Sequence, residues 1–149
     1  MTLVKRVGKF LKSEELRAGV IGTGSVAQNA HLPVYEGDER INLVAIADLD
    51  TSSRRAVAEE FDIEHTYSEG TQMLSEEDLD IVSICTPPTT HEDLFIVAAE
   101  AGVNIYCEKP MAIRVEAAKR MVSAAESAGV VTQIGYTRPY VENFKTVLS

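Results

Sequence analysis

The stretch Leu16-Arg17-Ala18-Gly19-Val20-Ile21-Gly22-Thr23-Gly24-Ser25-Val26-Ala27-Gln28-Asn29-Ala30 decides the fold. Residues 18–21 are a short apolar run with the length and bounding of a buried parallel strand. Gly22 to Ala27 then reads G-x-G-x-x-A, and helix-compatible sequence follows. In a dinucleotide-binding unit each small residue has a physical task. Gly22 permits the tight turn out of the strand, Gly24 lets backbone N–H groups approach a pyrophosphate, and Ala27 keeps the helix close to the strand. The helix then aims its leading N–H groups and positive dipole end at the phosphates. A purely structural turn, or a methyltransferase-type loop holding an adenosyl cofactor, would use similar glycines. The strand before the loop and the helix after it favour the dinucleotide.

Working outward, residues 41–47 form a second apolar run ending at Asp48, 24 residues beyond Gly24. About 20 are expected between such a loop and the acid that binds an adenosine ribose. A carboxylate there accepts from both ribose hydroxyls and repels a 2′-phosphate, which points to NAD. Asp50, with Thr51 and Ser52 as competitors, suits the cap of the next helix better than Asp48 does. Arg54 and Arg55 follow closely and keep NADP open as the cofactor.

The remaining pattern alternates. A helix over 25–36 is expected to kink or break at Pro33. A helix over 51–61 places Ala56, Val57 and Phe61 on its apolar face. A weak strand at 65–67 and a short helix at 70–74 come next. A buried strand at 80–85 is stopped by Thr86-Pro87-Pro88-Thr89-Thr90-His91. The helix over 91–101 is closed by Gly102, and the strand over 103–107 leads into Glu108-Lys109-Pro110. A helix over 114–128 ends at Gly129 and a last strand covers 130–134. The fold class is therefore α/β: a doubly wound parallel sheet of Rossmann type, with strand order 3-2-1-4-5-6 and its ligand crevice between strands one and four.

Bulk properties narrow the function. The net charge of −9 over 149 residues argues against a nucleic-acid partner, which would want a basic face. Lys5, Arg6, Lys9 and Lys12 give the N-terminus a basic arm, but it lacks the apolar core and cleavage site of a secretory signal. No run approaches the ~20 apolar residues that span a bilayer. A cytoplasmic protein is the default, with no membrane partner. The three histidines, His31, His65 and His91, lie far apart without ligand spacing, so no metal site is expected. Cys85 and Cys107 end neighbouring strands and are expected to be reduced, structural thiols.

With Gly22-Thr23-Gly24-Ser25-Val26-Ala27, Asp48, Thr86-Pro87-Pro88 with His91, and Cys107-Glu108-Lys109-Pro110 in register, the chain resembles the N-terminal domain of the Gfo/Idh/MocA family. These relatives of glucose–fructose oxidoreductase and inositol dehydrogenase oxidise sugars or polyols with NAD or NADP. The resemblance spans residues 17 to about 136. It implies that Gly22, Thr23, Gly24, Ser25 and Val26 hold the pyrophosphate and Asp48 the adenosine ribose. It further implies that Thr86, Pro87 and His91 line the nicotinamide side. Glu108 would contact the nicotinamide ribose region, and Lys109, the expected catalytic residue, would reach the substrate hydroxyl.

Two departures stand out. Pro139 occupies the place where family members commonly carry an arginine, just after the position matching Arg138. Family members also continue past the point matching Ser149 into a second α/β domain, which supplies the substrate pocket and an acid/base histidine. The expected organisation is an N-terminal extension over 1–16, a dinucleotide-binding domain over 17–136, and from 137 to 149 the start of a connection to that second domain. Two functions compete: the cofactor domain of a sugar or polyol dehydrogenase, inactive without its second domain, and a stand-alone, non-catalytic dinucleotide-binding or sensing module. An uncovered apolar face leaves homo-oligomerisation open.

Overall fold

Strand β1 (Leu16–Ile21) feeds two layers at once. Side chains alternate across a strand, so Ala18 and Val20 enter one apolar cluster with Leu32, Tyr35, Ile46 and Val57, while Ile21 enters another with Met73, Ile84 and Phe95. Strand β2 (Ile41–Ala47) repeats the division, with Ile46 on the first side and Ala45 and Ala47 on the second. A sheet buried on both faces needs continuous apolar strands, which is what these sequences provide. The computed structural model describes residues 15–137. The basic arm, with any helix it forms, and the segment containing Arg138 and Pro139 lie outside the described residues.

The sheet has six parallel strands in the order β3-β2-β1-β4-β5-β6, as the alternation predicts. Its other members are β3 (His65–Tyr67), β4 (Ile81–Ile84), β5 (Asn104–Cys107) and β6 (Thr132–Ile134). The connecting helices are α1 (Leu32–Glu36), α2 (Thr51–Glu60), α3 (Gly70–Glu76), α4 (His91–Glu100) and α5 (Val115–Ala128). Asp50 caps α2, its carboxylate accepting from the N–H groups of Ser52 and Ser53 at 2.8 and 3.1 Å. Gly129 closes α5 at φ +65°, a left-handed conformation suited to glycine.

Two local expectations are corrected. The first helix does not break at Pro33. Instead a π-helical turn, Ala27–His31, precedes α1, and the Leu32 N–H reaches back to the Ala27 carbonyl. Proline has no N–H, and its ring crowds the carbonyl four residues earlier; widening the turn ahead of Pro33 lets the helix run on. Ala56 is exposed rather than buried. Helix α2 packs through Val57, with Ala58 and Phe61 beside it, which turns Ala56 toward solvent.

The register does most to place the site. Ile21 pairs with Ala47 and with Ile84, Ala47 with Tyr67, Ile84 with Cys107, and Cys107 with Ile134. All six strands therefore end level, and the residues that leave them form a row along one edge: Ser68, Asp48, Gly22, Cys85, Glu108 and Gly135.

Candidate dinucleotide site

A cavity of about 690 Å³ opens on this edge, over the ends of β1, β2, β3 and β4. Its position is the crevice expected where strand order reverses. Gly22 sits at φ +93°, and a Cβ there would lie 2.8 Å from the Cys85 carbonyl carbon and 2.9 Å from the Thr86 nitrogen. The first glycine thus lets the β1 turn cross against the β4 turn. Gly24 is different. It lines the cavity, and a Cβ built on it meets nothing within 4 Å. A side chain at Gly24 would enter open space at the cavity wall, beside the first turn of a helix whose leading N–H groups lack intrahelical partners.

Asp48 is set by the same loop. One carboxylate oxygen accepts from the Thr23 N–H at 2.6 Å and the Thr23 hydroxyl at 2.8 Å, and the other from the Asp50 N–H at 2.8 Å. Burial by itself would raise the Asp48 pKa. The N–H donors of Thr23 and Asp50, the Thr23 hydroxyl and the nearby Arg54 charge outweigh it, and the pKa is lowered. The ionised carboxylate is held facing the cavity with acceptor capacity left over. Thr23 itself is fully buried, its carbonyl taken by Gln28 at 2.6 Å and its hydroxyl also bonded to Ser53 at 2.9 Å. The structure makes Thr23 the brace of Asp48, with no side-chain surface for a ligand. Ser25 and Val26 are exposed at the helix start.

Among the described residues, the charges lining the cavity are all negative: Asp48, Glu69 and Asp93, with no lysine or arginine. Arg54 is not among the lining residues; its guanidinium donates to the Asp48 carbonyl and to the Thr51 hydroxyl. A pyrophosphate here would rest on backbone dipoles, and a 2′-phosphate would face carboxylates.

Thr86 and Pro87 line the opposite wall. His91 lies beneath that wall instead of in it. Its side chain is fully buried, with Nδ1 3.0 Å from the Pro110 carbonyl and Nε2 2.8 Å from the Thr86 carbonyl. Each ring nitrogen sits within hydrogen-bond distance of a main-chain carbonyl, so the ring lies between the turn after β4 and the turn after β5. Glu108 likewise faces inward. Its carboxylate accepts from the Lys109 N–H at 3.2 Å and lies 2.9 Å from His31 Nε2. Lys109 stands exposed at the next position along the edge.

The sequence profile of an oxidoreductase family with an NAD-binding Rossmann fold matches residues 16–136. The chain belongs to the Gfo/Idh/MocA family. D-apiose dehydrogenase of Paraburkholderia graminis is 38% identical over 78% of this chain and 31% of its own length. Inositol 2-dehydrogenase of Pseudomonas savastanoi is 29% identical over 90% of this chain and 40% of its own. The crystal structure of the WlbA dehydrogenase from Bordetella pertussis, in complex with NADH and UDP-GlcNAcA, superposes with a TM-score of 0.84 at 29% identity, covering 90% of this chain and 41% of that one. The chain thus spans well under half the length of these relatives.

For a Gfo/Idh/MocA chain, reading the motifs alone missed part of this wall. Leu49, Ser68, Glu69 and Leu94 line the cavity, yet none carries a recognisable motif. Leu49 is exposed immediately after Asp48, and Ser68 and Glu69 follow a three-residue strand too short to announce its end. The signal available was positional: each follows, or faces, the end of a strand.

Proposed function

We propose that this chain is the cofactor-binding domain, over residues 17–136, of an NAD-dependent dehydrogenase acting on a sugar or polyol hydroxyl. The observation that carries the proposal is the braced Asp48 carboxylate in a cavity where the charged lining among the described residues is acidic. The dehydrogenases of apiose and inositol among the relatives supply the substrate class.

In this reading the backbone of the Gly22–Val26 loop holds the pyrophosphate, and Asp48 accepts from the adenosine ribose. Thr86 and Pro87 flank the path toward the nicotinamide. NAD, when bound, accepts the hydride; the protein's part is to bind, orient and exclude water. Lys109 donates a hydrogen bond to the substrate hydroxyl, on a turn that Glu108 and His91 fix from below. Glu108 reaches the nicotinamide ribose with the part of its carboxylate that His31 and Lys109 leave free.

Calorimetric titration of the chain with NADH and NADPH tests the proposal. Tighter binding of NADH is expected. Equal or tighter binding of NADPH would transfer control of the site from Asp48 to Arg54 or Arg55, and binding of neither would remove the cofactor assignment.

A further inference from the structure

Beneath Glu108 runs a line of buried polar groups that the cofactor reading does not use. His31, at the end of the π-helical turn, places Nε2 2.9 Å from the Glu108 carboxylate and Nδ1 3.0 Å from the Ser83 hydroxyl. Ser83, in the middle of β4, lies 2.6 Å from the Tyr35 hydroxyl. Ser83 is fully buried, and His31 and Tyr35 are each 8% exposed. Tyr106 of β5 packs its ring edge-on against the imidazole, with centroids 4.9 Å apart.

With a neutral imidazole this line has one direction. A carboxylate can only accept, so Nε2 carries the hydrogen toward Glu108. In the neutral ring Nδ1 is then the acceptor, Ser83 donates to it, and Tyr35 donates to Ser83. In that tautomer every donor points toward Glu108, and bonds aligned head to tail in a dry interior reinforce one another. Burial raises the Tyr35 pKa, which keeps the phenol in its donor form. The carboxylate packs against Gly135, where a Cβ would come to 3.0 Å from Glu108 Oε2. Its second oxygen holds the Lys109 N–H.

The π turn belongs to this arrangement. Helix widenings of this kind are enriched at functional sites, and this one ends on the residue that reaches across the sheet edge to β5. Glu108 and Lys109 leave β5 on the nicotinamide side of the crevice, away from Asp48 and Ser68 at the adenosine side.

We propose that His31 is a positioning residue: anchored by Ser83 and Tyr35, it fixes the Glu108 carboxylate, and through it the Glu108–Lys109 turn, at the nicotinamide end of the site. This rests on the reading of the cavity as a dinucleotide site. It assigns the π turn and the Tyr35–Ser83–His31 line to one half of the cofactor, leaving the adenosine half to Asp48.

The test separates the two halves. NADH and ADP are titrated against the chain and its variants; ADP carries the adenosine and pyrophosphate but no nicotinamide nucleoside. His31→Phe is expected to weaken NADH about tenfold, the worth of one hydrogen bond to a charged group, while leaving ADP within about twofold. His31→Gln, whose amide N–H₂ can reach the position of Nε2, is expected to restore most of the loss. In a Glu108→Ala background His31→Phe should add nothing further. A parallel fall for NADH and ADP, no rescue by His31→Gln, or additive losses with Glu108→Ala would overturn the assignment. Amide hydrogen exchange gives a reading independent of the cofactor. His31→Phe should accelerate exchange at the Lys109 N–H while the β1 amides stay protected. If the unaltered chain binds no NADH, the proposed function fails and this exchange decides the positioning role; unchanged exchange at Lys109 refutes it.

Discussion

Gly22 and Gly24 stand two residues apart in one loop, and the structure gives them opposite failures. An alanine at Gly22 would adopt a φ of +93° and press its Cβ to 2.8–2.9 Å from backbone atoms of Cys85 and Thr86. The left-handed conformation costs a non-glycine residue about 1–2 kcal/mol. Overpacking against rigid backbone adds about 1–3 kcal/mol, so Gly22→Ala should lose about 2–5 kcal/mol of stability. For a domain of this size that is a fall in Tm of roughly 5–20 °C. A Cβ at Gly24 meets no atom within 4 Å and needs no positive φ, so the stability of Gly24→Val should stay within about 0.5 kcal/mol. The valine isopropyl group instead occupies the space in front of the loop, and NADH affinity should drop by at least about tenfold, or 1.4 kcal/mol. Differential scanning calorimetry and NADH titration on the two variants read both quantities. A folded Gly24→Val chain that binds NADH normally would refute the placement of the pyrophosphate. A Gly22→Ala chain as stable as the parent would refute the steric reasoning for the β1 turn.

Three further outcomes are expected. Burial would raise the Glu77 carboxyl, but hydrogen bonds from Tyr67 and His65 and the Arg17 charge bring it below its ordinary 4.5. A depressed folded pKa means stability that is present in full above 4.5 and lost as pH falls through the folded value. Glu77→Gln should therefore destabilise by about 1 kcal/mol or more at pH 7, and urea unfolding at lower pH should show the gap to the parent closing; a gap that persists in acid would contradict this. Burial pushes the Cys85 and Cys107 thiols up to about 12. Iodoacetamide should then modify both only after unfolding, and rapid labelling of the native chain would show them to be accessible. Finally, the chain alone should bind NADH without dehydrogenase turnover on sugars or polyols, because hydride transfer needs the substrate at near-attack distance with a base in reach. Sustained NAD reduction by the chain that disappears in Lys109→Ala would show that this edge by itself forms a competent site.

The sequence determined the layer architecture of this protein. Apolar runs spaced by amphipathic stretches, punctuated by Gly102, Gly129 and the Thr86-Pro87-Pro88 stop, are local signals, and local signals suffice for element type and for parallel order. The glycine loop, the acid at the end of β2 and the cap at Asp50 were legible for the same reason: each is set within a few residues or at a known spacing. What the tertiary structure decided depends on groups far apart in sequence. Thr23 reads as a phosphate-loop residue until β2 brings Asp48 beneath it, 25 residues away. His91 reads as a ligand residue until the turn after β5 closes over it with the Pro110 carbonyl, 19 residues on. His31 carried no functional signal, because its partners Ser83 and Glu108 lie 52 and 77 residues along the chain. A buried polar side chain takes its role from whichever donor or acceptor the sheet register places within about 3 Å, and only the assembled sheet sets that register.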